Sequence, residues 1–311
     1  MQVYGVLVTY RRPELLRTCI DRISTQTRQL TRLIVVDNHA DGATEVICGS
    51  YPTLTVDYLP APGNLGPAGG FALGIERILA DASDDDVIVL FDDNDPLPTD
   101  DVLDRLASFF GEQATADPTT AGVGVRGATF DWQRARALRV SDEATGAVPV
   151  DHLYGGYAPM YRVGSVRGAG SFSPTLFWGF EELDFGLRLV AAGHSLYMNA
   201  DLWREVRANV TAQDPLVRPK LRLEAVSWRR YYTLRNLLYI LISNRRRPTA
   251  LRIAVVRGFG KPLVNLVATP SLAWAQLRQN TAAVRDAFRG TMGLTVVPDD
   301  APRSPGSDQS P

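Results

Sequence analysis

The apolar positions of the first hundred residues switch between two periods. Val3–Thr9, Leu33–Asp37 and Val87–Phe91 are nearly continuous β-rich runs, the pattern of strands buried on both faces of a parallel sheet. After the first run, Leu15, Leu16, Cys19, Ile20 and Ile23 recur at helical spacing behind Pro13, which suits a first helical turn. Leu54–Leu59 is a weaker strand, and the Gly-rich turn Gly63–Gly70 leads to a helix with Phe71, Ile75, Ile78 and Leu79 on its inner face. This β-α-β-α order predicts an α/β fold with a doubly wound, mostly parallel sheet, whose ligands lie beyond the carboxyl ends of the strands. Residues 112–175 are Gly-rich and irregular, with strands expected near Gly122–Phe130. Glu181–Ala192 reads as a helix opened by acids and closed by Gly193. Beyond Pro215 the period is helical over Leu221–Asn244, Thr249–Gly258 and Leu263–Arg289, with breaks at Pro262 and Pro270. The expected organisation is therefore two halves of one α/β domain, 1–110 and 111–215, then a helical subdomain at 216–293. A tail at 294–311, rich in Pro, Ser and Asp, is expected to be disordered.

Composition narrows the class. The chain has 311 residues, 45% of them apolar, and a formal charge of −1, which excludes a disordered, collagenous or disulfide-scaffold protein. Cys19 and Cys48 form no C-x-x-C pair, and His39, His152 and His194 have no metal-ligand spacing, so no zinc site is expected. The near-zero charge is a cancellation. Residues 1–215 carry 17 basic and 29 acidic side chains, whereas 216–290 carry 15 basic and 2 acidic. A basic helical segment interleaved with Trp228, Tyr231, Tyr232, Phe259 and Trp274 reads either as a solvated face or as a surface resting on anionic membrane. It contains no nucleic-acid-binding motif, so nucleic acid is not an expected partner. No apolar run reaches the ~18–20 residues of a membrane span. The chain opens on a strand-like run without a leader pattern, so it is read as cytoplasmic, with peripheral contact to the inner face of a membrane left open.

The polar residues collect at the strand ends. Thr9, Tyr10 and Arg11 follow the first run, Asp37 and Asn38 the second, and Asp92, Asp93 and Asp95 the third. Acids after a strand often do no more than solvate a turn. Two carboxylates one residue apart can also clamp a hard divalent cation against substrate phosphates. In Glu181-Glu182-x-Asp184 the acids complement a helix dipole, or supply a general base behind the apolar Phe177-Trp178-Gly179-Phe180. Asn64, Gly66, Gly69 and Gly70 lie before a helix, where glycines permit close backbone approach, although the spacing is not that of a dinucleotide fingerprint.

In order along the chain, Val8-Thr9-Tyr10-Arg11-Arg12-Pro13, Val35-Val36-Asp37-Asn38, Asn64-x-Gly66-x-x-Gly69-Gly70, Asp93-x-Asp95 and Phe180-Glu181-Glu182-x-Asp184-x-x-Leu187-Arg188 resemble glycosyltransferase family 2, with its GT-A fold. Tyr231-Tyr232-x-x-Arg235-Asn236 and Arg285-Asp286-x-x-Arg289-Gly290-x-Met292-Gly293 extend the resemblance to the galactofuranosyltransferase and rhamnosyltransferase branch, covering about 3–293. The resemblance implies an inverting transfer of a sugar from a nucleotide-diphosphate donor, UDP-galactofuranose or dTDP-rhamnose, to a glycan, glycolipid or lipid-linked acceptor in cell-wall or glycoconjugate synthesis. It implies a nucleotide pocket lined by Thr9, Tyr10, Arg11, Asp37 and Asn38, closed by Asn64 and the glycines. Asp93 and Asp95, supported by Asp92, would hold Mg²⁺ or Mn²⁺. Glu182 would be the base, flanked by Glu181 and Asp184, with Trp178 against a sugar. Two positions depart from the family pattern. Glu182 stands where Asp is common, and Arg204 stands where a metal-binding His is often found. Arg cannot ligate a cation, but it can pair with a diphosphate as a bidentate donor. A non-catalytic nucleotide-sugar- or membrane-binding homologue and a sugar nucleotidyltransferase are the alternatives. The latter calls for a Gly-rich basic signature after the first strand, and Thr9–Pro13 has no glycine.

Overall fold

The computed structural model describes residues 1–213, 227–260, 262–263 and 269–298. It divides into two units, Met1–Arg218 and Pro219–Pro311. The first begins β1 (Val3–Thr9), α1 (Pro13–Ser24), β2 (Arg32–Asp37), α2 (Gly42–Cys48), β3 (Val56–Pro60), α3 (Gly66–Leu79), β4 (Val87–Asp92) and α4 (Val102–Ala116). It continues with β5 (Thr120–Gly124), β6 (Gly127–Asp131), β7 (Arg136–Arg139), β8 (Ala147–Val150), β9 (His152–Leu153) and β10 (Met160–Arg162). Then come α5 (Val163–Ala169), α6 (Glu181–Ala191), β11 (Ser195–Asn199) and α7 (Ala200–Gln213).

Eight strands form one sheet in the order β3-β2-β1-β4-β10-β5-β11-β8, and β7-β6-β9 form a smaller one. β3, β2, β1 and β4 are parallel, which brings Thr9 opposite Asp37 and Val8 opposite Asp92. β10 then runs antiparallel between β4 and β5. The stretches 1–110 and 111–215 thus share a single sheet. Its Val and Ile residues are covered on both faces: Leu7, Val35 and Val89 pack against α1 and α4, and Val6, Val36 and Leu90 against α3. Each fully buried side chain of this type stabilises by about 1.5–3 kcal/mol.

Local departures from the sequence reading have packing causes. Leu15 lies on the outer side of α1 and is 44% exposed, while Leu16, Cys19, Ile20 and Ile23 are buried. The Gly-rich turn is already helix from Gly66 onward, and its glycines stand where neighbouring elements approach closely. A Cβ on Gly70 would stand 2.6 Å from Val8 Cγ1. In the acidic run Asp84-Asp85-Asp86, whose composition alone suits a solvated loop, Asp86 is buried and accepts from the Gln2 and Ser83 N–H groups.

The second unit contains α8 (Trp228–Ser243), α9 (Arg247–Ile253), a π-helical segment (Ala254–Gly260) and α10 (Pro270–Arg289). The expected helix start at Leu221 lies outside the described residues. Arg235 is fully buried at the centre of α8. Its guanidinium donates to Asn236 Oδ1 (2.9 Å), the Gly293 carbonyl (2.7 Å) and Thr295 Oγ1 (3.0 Å), and lies 4.6 Å from the Tyr232 ring centroid. Tyr231 donates to Asp286 (2.7 Å) and Tyr232 to the Val296 carbonyl (2.9 Å). The two C-terminal motifs therefore meet in one buried polar network. It also holds Thr295 and Val296, the start of the stretch expected to be tail; 299–311 lie outside the described residues. Among the described residues no helix is long and apolar enough to cross a membrane.

Candidate active site

The carboxyl ends of β1, β2 and β4 form one rim of the parallel sheet. Thr9 Oγ1 donates to Asp93 Oδ2 (2.9 Å), and Arg12 Nη1 pairs with Asp93 Oδ1 (3.1 Å) and also donates to Asn94. Burial pushes the Asp93 carboxyl up, and the Thr9 and Arg12 contacts pull it back. Asp93 thus has both oxygens engaged and ties β1 to β4. Arg11 is in the left-handed region (φ 56°); it lies 5.2 Å from the Tyr10 ring centroid, and its Nε is 3.3 Å from His39.

The Asp37 carboxylate is fully buried and accepts from His39 N–H (2.8 Å), Asp41 N–H (3.0 Å) and the Tyr58 hydroxyl (3.2 Å). Asn38 clamps the start of α3, donating to the Gly66 carbonyl (3.0 Å) and accepting from Leu65 N–H (3.3 Å). Asn64 Oδ1 caps the Gly66 N–H (3.0 Å). Gly66 itself has φ 66°, and a Cβ there would collide with the Phe177 carbonyl, while Ala68 N–H donates to that same carbonyl (3.4 Å). The turn at 64–70 is in this way fastened to the chain that leads into the acid pair.

α6 starts from strained backbone. Phe177, Gly179 and Phe180 all have positive φ (62°, 82° and 67°), as do Tyr157 and Ala158 across the site. Non-glycine residues in such conformations cost about 1–3 kcal/mol each and cluster where function fixes a side chain. Glu182 Oε1 accepts from the Gly155 N–H at 3.0 Å. A Cβ on Gly155 would lie 2.8 Å from that oxygen, and one on Gly156 would lie 2.6 Å from Asp95 Oδ2. Two consecutive glycines therefore sit against two carboxylates supplied by different halves of the sequence. Burial raises the Glu182 and Asp95 carboxyls; Asp92 adds to both shifts, and the Arg126 guanidinium opposes them. Glu181 is buried, its Oε2 has no hydrogen-bond partner among the described residues, and burial with the Glu182 charge pushes it up to about 8.

The remaining candidates have partners of their own. Asp184 pairs with Arg188 (3.0 Å), which donates in turn to the carbonyls of Ala169, Gly170 and Ser171. Arg204 is exposed and engages Asp201 (3.2 Å) and the Ala144 carbonyl (2.6 Å). Trp178 is half-buried in the strained turn, its N–H bonded to the Leu176 carbonyl (2.7 Å). Sequence reasoning missed Gly155, Gly156, Tyr157 and Arg126, which lie in the stretch without clear period. The Gly155-Gly156 pair was the available signal.

Among the described residues, no group of three or more His, Cys, Asp or Glu side chains forms a cation cage. Mg²⁺ and Mn²⁺ sites on phosphorylated substrates need only one or two protein carboxylates, the phosphates completing the shell. Asp95 fits that role. Its carboxylate accepts no hydrogen bond from the described residues, and the bare Cα of Gly156 leaves space against it.

The comparisons with known proteins bear on the fold and the family. Two solved structures share the GT-A fold. One is GalNAc-T7 with UDP, GalNAc and Mn²⁺ (TM-score 0.55, 12% identity, 78% of this chain and 48% of that chain). The other is S. aureus TarS 1-349 in complex with UDP-GlcNAc (TM-score 0.52, 12% identity, 93% and 92%). Galactofuranosyltransferase GlfT1 of Mycobacterium tuberculosis is 30% identical over 203 residues, 61% of this chain, and the match spans 65% of that relative's length. The Glycosyl transferase family 2 model matches residues 6–165, which include the β1, β2 and β4 rim, the Asn64–Gly70 turn and the Gly155-Gly156 pair. With more than half its length inside that match, the chain belongs to glycosyl transferase family 2.

Proposed function

We propose that the protein is an inverting glycosyltransferase. It would move a sugar, galactofuranose from UDP or rhamnose from dTDP, to a hydroxyl of a glycan, glycolipid or lipid-linked acceptor. The observation that carries this reading is the convergence of Asp95 and Glu182 on the Gly155-Gly156 backbone. The 30% identity to a galactofuranosyltransferase favours the UDP-galactofuranose arm.

In this reading the nucleotide lies along the β1–β2 rim, where Thr9, Tyr10, Arg11, Asp37 and Asn38 shape the wall and Asn64, Gly66, Gly69 and Gly70 form the close backbone edge. The acceptor oxygen attacks the anomeric carbon as the bond to the diphosphate oxygen breaks on the opposite face. Glu182 takes the acceptor proton, its carboxylate aimed by the Gly155 N–H. Burial raises its pKa above the ordinary carboxylate value, which strengthens it as a base. Mg²⁺ or Mn²⁺ held by Asp95 would neutralise charge on the leaving diphosphate. Asp93 keeps β1 and β4 in register beneath it through Thr9 and Arg12.

The second unit exposes Arg245, Arg246 and Arg247 close in sequence to exposed Leu251, Val255 and Val256. Cationic and apolar groups in such proximity suit an anionic membrane surface, where a lipid-linked acceptor would be met.

Donor turnover tests the proposal. Glu182→Gln should lower kcat by about 10²–10⁴, the usual contribution of a positioned base. Asp95→Ala should abolish stimulation by Mn²⁺. Wild-type rates in both variants would overturn the assignment.

A further inference from the structure

Beside the carboxylate group, the first unit contains a cavity of about 360 Å³. That is within the roughly 300–1,000 Å³ range of small-molecule sites. Its walls come from the start of β6, the end of β7 with the following turn, Tyr154, β11 and α7. Three arginines line it, Arg126, Arg139 and Arg207, against one acid, Asp142, which is paired with Arg207 at 2.5 Å. An excess of positive charge in a concave, partly apolar site is the signature of an anionic ligand.

The geometry of Arg126 sharpens this. Its guanidinium lies 4.6 Å from the Tyr154 ring centroid and 5.4 Å from that of Trp203, and it makes no hydrogen bond to the described residues. Two aromatic contacts thus restrain a planar five-donor fork whose N–H groups await an acceptor, the preorganised form suited to phosphate or carboxylate. The Arg139 guanidinium is exposed, likewise makes no hydrogen bond to the described residues, and acts electrostatically on Asp142. Trp203 and Tyr154 also offer ring surface for the apolar face of a sugar.

Position decides which substrate this is. None of Thr9, Tyr10, Arg11, Asp37, Asn38 or Asn64 lines the cavity. Yet Arg126 acts electrostatically on Asp95 and Glu182, and the residues after Tyr154 are Gly155 and Gly156, which abut those carboxylates. Tyr157 follows, its ring centroid 6.0 Å from that of Trp203. The cavity therefore adjoins the proposed base through Arg126 and Tyr154 and shares no wall with those rim residues.

We infer that this cavity is the acceptor subsite and that the acceptor is an anionic sugar, a glycosyl phosphate or diphosphate, with its phosphate on Arg126 and Arg139 and a sugar ring against Trp203 and Tyr154. The inference rests on the glycosyltransferase reading above and names the acceptor class for that same site.

Isothermal titration of the full chain with glucose 1-phosphate, and separately with glucose and with UDP, tests it. Glucose 1-phosphate should bind and glucose should not. Arg139→Gln and Arg126→Gln should each weaken the phosphate ester by about tenfold or more, as loss of a hydrogen bond to a charged group does. Arg126→Lys should recover little, because the fork is lost while the charge remains. UDP should bind alongside glucose 1-phosphate without displacing it. A farnesyl phosphoglucose probe separates the sources: tighter binding than glucose 1-phosphate marks a lipid-linked acceptor, and equal binding a soluble phosphoglycan. Equal affinity of wild type and Arg139→Gln for glucose 1-phosphate, or its competitive displacement by UDP, would overturn the inference. Failure of the wild type to bind UDP or turn over any nucleotide sugar would count against the glycosyltransferase reading, leaving the phosphate result to be judged separately.

Discussion

Alanine at Gly156 would separate the cost to the fold from the cost to the chemistry. The position has ordinary backbone angles, so the extra methyl carries no conformational penalty. Restricting the unfolded chain would even stabilise by about 0.4–1 kcal/mol. The new Cβ would stand 2.6 Å from Asp95 Oδ2, and ordinary contact begins at 3.4 Å, so the carboxylate must retreat by about 0.8 Å. The displaced atom is the far end of a flexible side chain, which makes the shift cheap for folding. For a group that must meet a cation and a diphosphate it is expensive, since a misplacement near 1 Å can cost about 10²-fold in rate. Gly156→Ala should therefore keep its Tm within a few degrees of wild type, while kcat falls about 10–10²-fold and the Mn²⁺ concentration for half-maximal turnover rises. Gly155→Ala is the paired case, with 2.8 Å to Glu182 Oε1 and a retreat of about 0.6 Å. Its kcat should fall with the Mn²⁺ requirement unchanged. Steady-state donor turnover across a Mn²⁺ titration, beside thermal melts, reads both. Wild-type kcat and Mn²⁺ dependence in Gly156→Ala would refute the placement of Asp95.

Three further outcomes follow from the same geometry. Gly66→Ala forces an L-residue to φ 66° against the Phe177 carbonyl, so denaturant titration should show a loss of more than the ~1–2 kcal/mol of the left-handed conformation alone. Burial raises the folded pKa of Glu181 from 4.5 to about 8, so the native state binds the extra proton and stability falls as pH rises between those values. Glu181→Gln should accordingly raise Tm more at pH 8 than at pH 5, and equal shifts at both would refute the burial argument. Arg235→Met strips its donors from the Asn236, Gly293 and Thr295 oxygens, and equilibrium unfolding should show at least the loss of about 1–3 kcal/mol that one buried acceptor left unsatisfied costs.

Much of the site was legible because it lies at the ends of strands with unmistakable period. Val3–Thr9, Leu33–Asp37 and Val87–Phe91 could only be buried parallel strands, and their terminal residues had to share a rim. Individual roles were less legible. Asp93 and Asp95 look equivalent in sequence, but Thr9 and Arg12 engage Asp93, while the Asp95 carboxylate accepts no hydrogen bond from the described residues. Asp184 and Arg204 stand out in the sequence as acid and cation, and only the structure shows their ion pairs, with Arg188 and Asp201.

The sequence by itself determined the strand and helix order, the acid pair at the head of α6, and the segregation of basic residues into the C-terminal helices. These follow from local period and composition, which need no knowledge of distant neighbours. Only the tertiary structure decided that Gly155 and Gly156 lie against Glu182 and Asp95, and that Arg126, held between Tyr154 and Trp203, is the cation beside them. Those residues sit in short, irregular strands and turns whose positions are fixed by β10 inserting between β4 and β5, a long-range pairing that no local pattern encodes.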